Sequence, residues 1–528
     1  MADWREGPFL ISAAPGAGKT RPALELAKDL LSKGIVGRVA VLCPTTPLTR
    51  QWAAAAALLG VQLQPDAKGP NPPRDFHGVA VTYARVASDP RGWAAKVPAD
   101  MLVIVDEAHH LGEDLAWGTG FQRAFASAPR WLLLSGTPFR SDATPIPGVR
   151  YDHDGLVVPD VSYTYAEAVA EGICRPVAFV TFDGTLSWRS GEDVVESSFE
   201  TVLSAREASR RYRTAISTEL PEGLPRILQE AHAKLTALRA EGHRDAGGLA
   251  VAADATHARR IAKLLGETTG RAPVVVLHTE ARAASKLADF RGSREPWIVA
   301  VNMVSEGVDI PRLRVGVYAT AAKTPLIFRQ IVGRFVRTIP TDRRSASGAE
   351  PSWLYLPADP TLRAHASEVE TELRHALHRD EPEEGWEEPV ERRASEPSPT
   401  AEFVPLSAEF AAQMTLFGAP QRAHSPSPTT AAEEAPEPAP VAAFERQAQL
   451  RQERSRLVAE LHRHDGRSHR EINAWVNRTV GLKRVETASI KQLERSIHAL
   501  TRELTRGSRP SRDRGVGTGG FEPPTSRV

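Results

Sequence analysis

The sequence PFLISAAPGAGKT, residues 8–20, decides the fold class. Its apolar first half is typical of a buried β-strand, and its second half ends in Gly18, Lys19 and Thr20. A glycine-rich loop between a strand and a helix binds phosphates with its backbone N–H groups, while its lysine and hydroxyl reach the outer phosphates and Mg²⁺. Ala13 stands where such loops begin with glycine, and a small residue there still permits the tight turn. The pattern therefore predicts a site for a nucleoside triphosphate.

A second motif downstream supplies two adjacent carboxylates at the end of another apolar run, 102–105. Asp106 is expected to hold Mg²⁺, and Glu107 to orient or deprotonate the attacking water. A solvated strand end is the alternative, and the upstream phosphate loop argues against it. His109 is expected to couple this site to neighbouring motifs or to cap the loop. The predicted nucleotide-binding residues are Ala14, Pro15, Gly16, Ala17, Gly18, Lys19 and Thr20, with Thr20 and Asp106 as the metal-binding pair.

Two stretches of the chain alternate continuous apolar runs with helical patterns. Such alternation is typical of a parallel sheet covered by helices on both faces. The sequence predicts an α/β protein with two doubly wound parallel-sheet domains, at 1–158 and 245–378. The region between them, 159–244, is expected to connect the domains and to begin the second one.

The last third of the chain changes composition. Residues 380–445 hold 14 acidic and 3 basic residues with 11 prolines, so we expect a disordered acidic linker over 379–442. Apolar residues in 406–417 are either remnants within this linker or a short docking helix. A basic helical module is expected at 443–506, because residues 446–506 hold 14 basic and 7 acidic residues, and 507–528 is expected to be a disordered tail.

Bulk composition excludes several classes of protein. With 2 cysteines in 528 residues, a disulfide scaffold or a cysteine-rich zinc site is disfavoured. No apolar run reaches the ~18 residues that span a bilayer, and the N-terminus lacks a secretory pattern. We therefore expect a cytoplasmic protein without a membrane partner.

Additional motifs follow later strands. In QIVGRFVR, residues 330–337, we expect Gln330, Arg334 and Arg337 to act at the transferred phosphoryl group, with both arginines on one helical face. A solvated basic face is the alternative. The remaining candidates are Ser135 and Thr137 for coupling the two domains, Gly307 and Asp309 for the nucleotide, and Pro44, Thr45 and Thr82 for nucleic acid.

The order of these motifs resembles that of superfamily 2 DEAD/DEAH-box helicases, in particular the motor subunits of type III restriction enzymes. The resemblance covers residues 8–360. It implies two RecA-like domains with ATP and Mg²⁺ in the cleft between them. In that arrangement Lys19 and Glu107 come from the first domain, while Arg334 and Arg337 reach in from the second. It also implies movement along a nucleic acid driven by ATP hydrolysis.

One departure from the family pattern concerns adenine recognition. These helicases carry a glutamine upstream of the phosphate loop, whereas the first glutamine here is Gln51. We therefore expect altered adenine recognition or a chain that starts late. DNA is favoured as the substrate, and an RNA helicase or a non-unwinding DNA translocase of a restriction or defence complex remains an alternative. The basic module is expected to bind either nucleic acid or a protein partner.

Overall fold

The computed structural model describes residues 4, 6–136, 145–153, 155–190, 193–277, 280, 282–301, 310–338, 350–377, 403–414 and 442–507. These residues form two α/β lobes and a C-terminal helical module, so the predicted fold class is confirmed. Among the helices described, none is both long and apolar enough to cross a bilayer.

The first lobe is built on a parallel sheet. Its strands are β1 Gly7–Ala13, β2 Arg38–Cys43, β3 Leu63–Pro65, β4 Gly78–Thr82, β5 Met101–Asp106, β6 Arg130–Ser135 and β9 Val161–Tyr163, with a small hairpin of β7 Arg150–Tyr151 and β8 Val157–Val158 beside it. The helices are α1 Thr20–Ser32, α2 Thr46–Leu58, α3 Tyr83–Ala87, α4 Pro90–Ala94, α5 His110–Glu113 and α6 Leu115–Phe125. The strand order is β3-β4-β2-β5-β6-β1-β9, and every pairing in it is parallel.

Both faces of this sheet are buried. In β2, Val39, Val41 and Cys43 pack into one apolar cluster, while Ala40 and Leu42 pack into the cluster on the opposite face. Burial on both sides explains why the strands read as continuous apolar runs. Because all strands are parallel, the loops after β1, β5 and β6 emerge at one edge, which is where ligands bind in such sheets.

The second lobe has a sheet of the same kind with an antiparallel extension. Its strands are β10 Val177–Ser190, β11 Asp193–Ser197, β12 Gly247–Ala252, β13 Val274–Val276, β14 Trp297–Val301, β15 Leu313–Ala319, β16 Ser352–Pro357 and β17 Phe403–Met414. The helices are α8 Ala205–Ala215, α9 Leu224–Ala240, α10 Ala255–Thr269, α11 Ala283–Gly292, α12 Pro325–Val332 and α13 Pro360–Leu377. The order β10-β16-β15-β12-β14-β13 is parallel, and β11 and β17 both pair antiparallel with β10.

Strand β17 corrects the expectation for the acidic linker. Residues 403–414 were expected to be disordered or to form a docking helix, but they form a strand. The reason is that β10 offers two sides for pairing: β16 and β11 pair along one side, and β17 pairs along the other over Val180–Ser190. Ala408 and Phe410, two residues apart, are buried there, and the Phe410 ring lies 6.3 Å from that of Phe182.

Helix α12 is shorter than the apolar pattern suggests. It ends at Val332, so Arg334 and Arg337 follow the helix instead of sharing one helical face. Arg337 forms an isolated bridge with Cys174, and the Val336 carbonyl accepts a 2.7 Å hydrogen bond from the Arg175 N–H. Residues 174 and 175, in the chain between the lobes, therefore pair with the backbone of residues 336 and 337, which does not continue the helix.

The C-terminal module is a bundle of three helices, α14 Ala443–Asp465, α15 His469–Thr479 and α16 Ile490–Gly507, with a short 3₁₀ turn at Val485–Thr487. It contacts the edge of the first lobe near β3. The Ala443 N–H donates to Gln62 Oε1 at 2.9 Å, and the Ile490 N–H donates to Asp75 Oδ2 at 2.8 Å. Phe444 packs against an apolar cluster of the first sheet. The module thus covers a sheet edge that would otherwise carry unpaired backbone groups.

Candidate nucleotide site between the two lobes

The loop after β1 has the backbone shape of a phosphate loop. Gly16 and Gly18 have φ values of +84° and +83°, in the left-handed region that favours glycine. Helix α1 begins directly afterwards at Thr20, so its unsatisfied N–H groups face the loop. A Cβ on Gly18 would meet no heavy atom within 4 Å. The predicted residues 14–20 therefore lie together at the helix N-terminus with open space above Gly18.

The loop after β5 directs a carboxylate at this phosphate loop. Glu107 has a φ of +53°, which is rare for a residue with a side chain and turns the chain sharply at the strand end. Its Oε1 lies 3.3 Å from Lys19 Nζ, and its Oε2 lies 3.5 Å from His109 Nδ1. The same His109 nitrogen is 3.1 Å from the hydroxyl of Ser135, at the end of β6. Four predicted site residues are thus joined in one polar chain.

This arrangement keeps Glu107 ionised. Burial alone would raise its pKa, but the Lys19 ammonium and the nearby His109 lower the pKa below its ordinary value. A carboxylate that stays charged can accept a proton or a hydrogen bond from a water molecule. Ser135 is fully buried, so its hydroxyl acts on His109 and not on solvent.

Asp106 is held by two aromatic residues. Trp52 Nε1 donates a 2.7 Å hydrogen bond to Asp106 Oδ2, and the Tyr83 hydroxyl donates to the Asp106 carbonyl. Burial, followed by the neighbouring charge of Glu107, raises the pKa of Asp106. The carboxylate is therefore fixed in orientation, and its negative charge is not balanced by its surroundings.

These features fit ATP and Mg²⁺. A buried carboxylate with a raised pKa beside a second carboxylate is stabilised by an added cation. Asp106 and Thr20 would hold the metal, and the loop N–H groups with Lys19 would hold the phosphates. When bound, Mg²⁺ would supply positive charge at the phosphate oxygens. The donor set consists of oxygen atoms, as this hard cation prefers.

The second lobe reaches the phosphate loop directly. A Cβ on Gly333 would stand 2.4 Å from Pro15 Cβ, and a Cβ on Gly16 would stand 2.8 Å from Val336 Cγ2 and 3.3 Å from Arg337 Cγ. The two glycines thus permit a backbone approach that no other residue allows. The segment that carries both predicted arginines therefore lies against the loop that would hold the phosphates.

The structure brings some predicted residues together and leaves others untested. Arg337 contacts the phosphate loop, and Arg334 follows Gly333 directly, while Gln330 lies in the last turn of α12. The roles of these three side chains remain predictions. Thr137, Gly307 and Asp309 lie outside the described residues.

The candidate nucleic-acid residues share one edge of the first sheet. Cys43 pairs with Thr82 in the parallel register of β2 and β4, so Pro44 and Thr45 emerge next to Thr82. The Thr82 hydroxyl accepts from the Arg85 N–H at 3.2 Å and caps α3. Thr45 caps α2 without using its hydroxyl, which is buried and lacks a hydrogen-bond partner within the described structure. Their contact with a polynucleotide stays a prediction.

Sequence reasoning missed the residues that support the site. Trp52 stands in an alanine-rich helix and reads as a core residue, although its indole N–H is an obligatory donor when buried. Tyr83 directly follows Thr82, and nothing in its local sequence indicates the hydrogen bond to the Asp106 carbonyl. Gly333 and Cys174 carried no chemical signal, because their importance lies in contacts between segments far apart in sequence.

The fold and the site define a class of phosphate-loop proteins with two parallel-sheet lobes. Residues 3–140 match the family model described as type III restriction enzyme, res subunit. The match confirms, over the first lobe, the predicted resemblance to superfamily 2 helicases related to restriction-enzyme motor subunits.

Relatives share more of the chain but have no described activity. The uncharacterized protein Rv2917 of Mycobacterium tuberculosis is 43% identical over 379 residues, covering 70% of this chain and 62% of its own length. The uncharacterized protein ML1624 of Mycobacterium leprae is 42% identical over 378 residues with the same coverage. The chain thus spans about 62% of the length of the curated relatives it matches.

Two solved structures are distantly similar. S. cerevisiae Dbp5 bound to RNA and ADP BeF3 has a TM-score of 0.44 and 14% identity, covering 70% of this chain and 83% of its own. The type ISP restriction-modification enzyme LlaBIII bound to DNA has a TM-score of 0.44 and 12% identity, covering 71% and 28% respectively.

Proposed function

We propose that this protein is an ATP-dependent motor that moves along nucleic acid, with DNA as the favoured substrate. The observation that carries the proposal is the contact between the lobes at the phosphate loop, where Gly333 lies against Pro15 and Arg337 against Gly16. A site completed by two lobes is sensitive to their separation. Binding and hydrolysis of a nucleotide there would change that separation, which is what a motor requires.

The chain's own residues divide the chemistry between them. Glu107 orients the attacking water and accepts its proton, because its carboxylate stays charged at the end of β5. Lys19 contacts Glu107 now and is long enough to exchange that carboxylate for a phosphate oxygen. Arg334 and Arg337 stabilise negative charge on the transferred group from the second lobe.

His109 and Ser135 relate hydrolysis to lobe position. Their 3.1 Å contact joins the end of β5 to the end of β6, and Gly136 follows directly, where a Cβ would stand 2.8 Å from Lys19 Nζ. A displacement of Ser135 and Gly136 would therefore change the surroundings of both His109 and Lys19. We assign this pair to coupling.

DNA is proposed over RNA because the matching family model is that of a restriction-enzyme subunit, and restriction enzymes act on DNA. The Asp-Glu-Ala-His sequence at 106–109 leans the same way. Unwinding is proposed alongside translocation, since both use the same two-lobed core.

The test is ATP hydrolysis by the full chain with no polynucleotide, with single-stranded DNA, with duplex DNA and with RNA. We expect DNA to stimulate hydrolysis and RNA to do so weakly. Lys19→Ala and Glu107→Gln should each lower turnover at least 10²-fold, the scale on which a catalytic group acts. The matched controls are Lys28→Ala and Glu25→Gln, which change exposed residues on α1.

Turnover that persists in both site variants at the level of their controls would contradict the site assignment. Stimulation by RNA alone would overturn the choice of substrate, and stimulation by duplex DNA without strand separation would favour a translocase that does not unwind. Arg334→Ala should lose hydrolysis while keeping nucleotide binding within about threefold.

A further inference from the structure

A groove of about 580 Å³ lies in the C-terminal module between α15 and α16. Trp475 and Thr479 line it from α15, and the charged residues that line it come from α16. The motor chemistry uses none of these side chains. The groove is open to solvent and lies outside the cleft between the two lobes.

The α16 wall of the groove is a cationic stripe. Lys491, Arg495, His498 and Arg502 follow one another at intervals of four, three and four residues, which places them on one helical face. The stripe spans about 16 Å along the helix axis. The opposite face of α16 packs into the apolar core of the module, so the stripe cannot turn inward.

The acidic residues of the groove are paired with arginines, one of which, Arg467, also pairs with Asp465. Glu494 lies 3.4 Å from Arg446, and Glu503 lies 3.3 Å from Arg467, so each glutamate pairs with an arginine from outside the groove lining. The stripe cations Lys491, Arg495 and Arg502 make no ion pair with any residue in the described ranges. The groove therefore presents a net positive surface to whatever enters it.

We propose that this groove binds the sugar–phosphate backbone of a nucleic-acid strand. A row of cations spaced along one helix suits an anion that repeats along a line, since each strand of a nucleic acid carries a charge about every 3.4 Å of the helix axis. Trp475, with the Arg467 guanidinium 5.5 Å from its ring centroid, adds an aromatic surface of the kind on which bases stack. The proposal rests on the proposed nucleic-acid function, to which it adds a second contact.

The position of the groove suits a motor. The Ile490 N–H is bonded to Asp75 of the first lobe, and the stripe begins at the next residue, Lys491. The helix that carries the stripe is thereby anchored to the lobe that holds the phosphate loop. A strand bound in the groove would stay attached to that lobe while the second lobe moves.

The experiment compares two triple variants of the full chain. The groove variant is Lys491→Gln/Arg495→Gln/Arg502→Gln, and the control, with the same loss of charge on exposed residues outside the groove lining, is Arg456→Gln/Arg463→Gln/Arg470→Gln. Binding of fluorescein-labelled single-stranded and duplex DNA is measured by anisotropy without nucleotide, over a series of salt concentrations.

We expect the groove variant to bind the better of the two probes at least tenfold more weakly. Its plot of log affinity against log salt should be shallower by about 2 units, because three phosphate contacts contribute about 0.7 to 0.9 each. The control should change affinity less than threefold. A charge-conserving variant, Lys491→Arg/Arg495→Lys/Arg502→Lys, should restore binding.

Equal loss of affinity in both triple variants, or no loss in the groove variant, would overturn the proposal. Binding of a polyglutamate peptide is measured alongside DNA binding as a test for an acidic protein partner. If the groove variant loses polyglutamate binding but keeps DNA binding, the groove serves an acidic protein and the proposal fails. ATP hydrolysis without polynucleotide should be the same in all variants. This measurement separates failure of the groove proposal from failure of the proposed ATP-hydrolysis site.

Discussion

Replacement of Gly333 by alanine tests whether the contact between the lobes is required for hydrolysis. Gly333 lies in the turn after α12, and its α-carbon faces Pro15 of the phosphate loop. An alanine Cβ would stand 2.4 Å from Pro15 Cβ, closer than real Cβ atoms approach their neighbours. The Cβ would also stand 3.2 Å from Pro15 Cγ and 3.2 Å from the Arg329 carbonyl oxygen, so all three contacts are with proline-ring or backbone atoms and no flexible side chain can move aside.

The size of the effect follows from the distance. Ordinary contact begins at 3.4 Å, so the two segments must separate by about 1 Å to accommodate the methyl group. A displacement of about 1 Å in a reacting arrangement costs about 10²-fold in rate. At 1.36 kcal/mol for each factor of ten, this is about 2.7 kcal/mol of lost transition-state stabilisation.

The assay is steady-state ATP hydrolysis with saturating DNA, together with binding of a fluorescent ATP analogue. We expect the maximal rate to fall about 10²-fold while nucleotide affinity changes less than threefold, because the phosphate loop belongs to the first lobe. Gly266→Ala in α10 is the matched control, since its Cβ would meet only ordinary contacts at 3.8 Å. A Gly333→Ala rate within twofold of the parent would refute the proposed role of lobe contact.

The other predictions concern single contacts. Trp52→Phe removes the hydrogen bond to the buried Asp106 carboxylate, worth about 1.5–3 kcal/mol, so the Mg²⁺ concentration at half-maximal nucleotide binding should rise at least tenfold; an unchanged Mg²⁺ titration would contradict this. Ser135→Ala should lower the stimulation of hydrolysis by DNA about fivefold, since it removes one neutral hydrogen bond to His109, while DNA affinity measured by anisotropy stays the same. Phe410→Ala should lower the free energy of unfolding by about 3 kcal/mol in urea titrations, and a loss below 1 kcal/mol would contradict the docking of β17.

Much of the fold is legible in the sequence because parallel strands buried on both faces are continuous apolar runs. The apolar run at 102–105 predicted a strand, and β5 extends that run by one residue at each end, to Met101–Asp106. Strand β17 escaped prediction because its partner, β10, lies more than two hundred residues away and its pattern is embedded in an acidic, proline-rich segment. Local composition indicated disorder, whereas a long-range pairing decided the structure.

The candidate site likewise has parts that the sequence predicts and parts that it does not. The phosphate loop and residues 106–109 could be predicted from the sequence, because their chemistry requires those residue types at fixed spacing. The end of α12 could not be predicted from the apolar pattern, because Phe335 and Val336 continue the helical spacing of apolar residues. Gly333 caps the helix, and the pairing of the connecting chain with Val336 and Arg337, which leaves no local signal, holds the following residues outside it.

The connecting chain between the lobes touches both halves of the site. At one end the Tyr163 carbonyl, in β9, accepts a 3.0 Å hydrogen bond from the Ala14 N–H of the phosphate loop. At the other end the Arg175 N–H donates to the Val336 carbonyl at 2.7 Å. Between them lies a single short helix, α7 Tyr165–Ala170, which packs against α13 of the second lobe. A change in the distance between the phosphate loop and Arg337 must therefore be absorbed within this short segment, so the two halves of the site are linked through the chain as well as through any bound nucleotide.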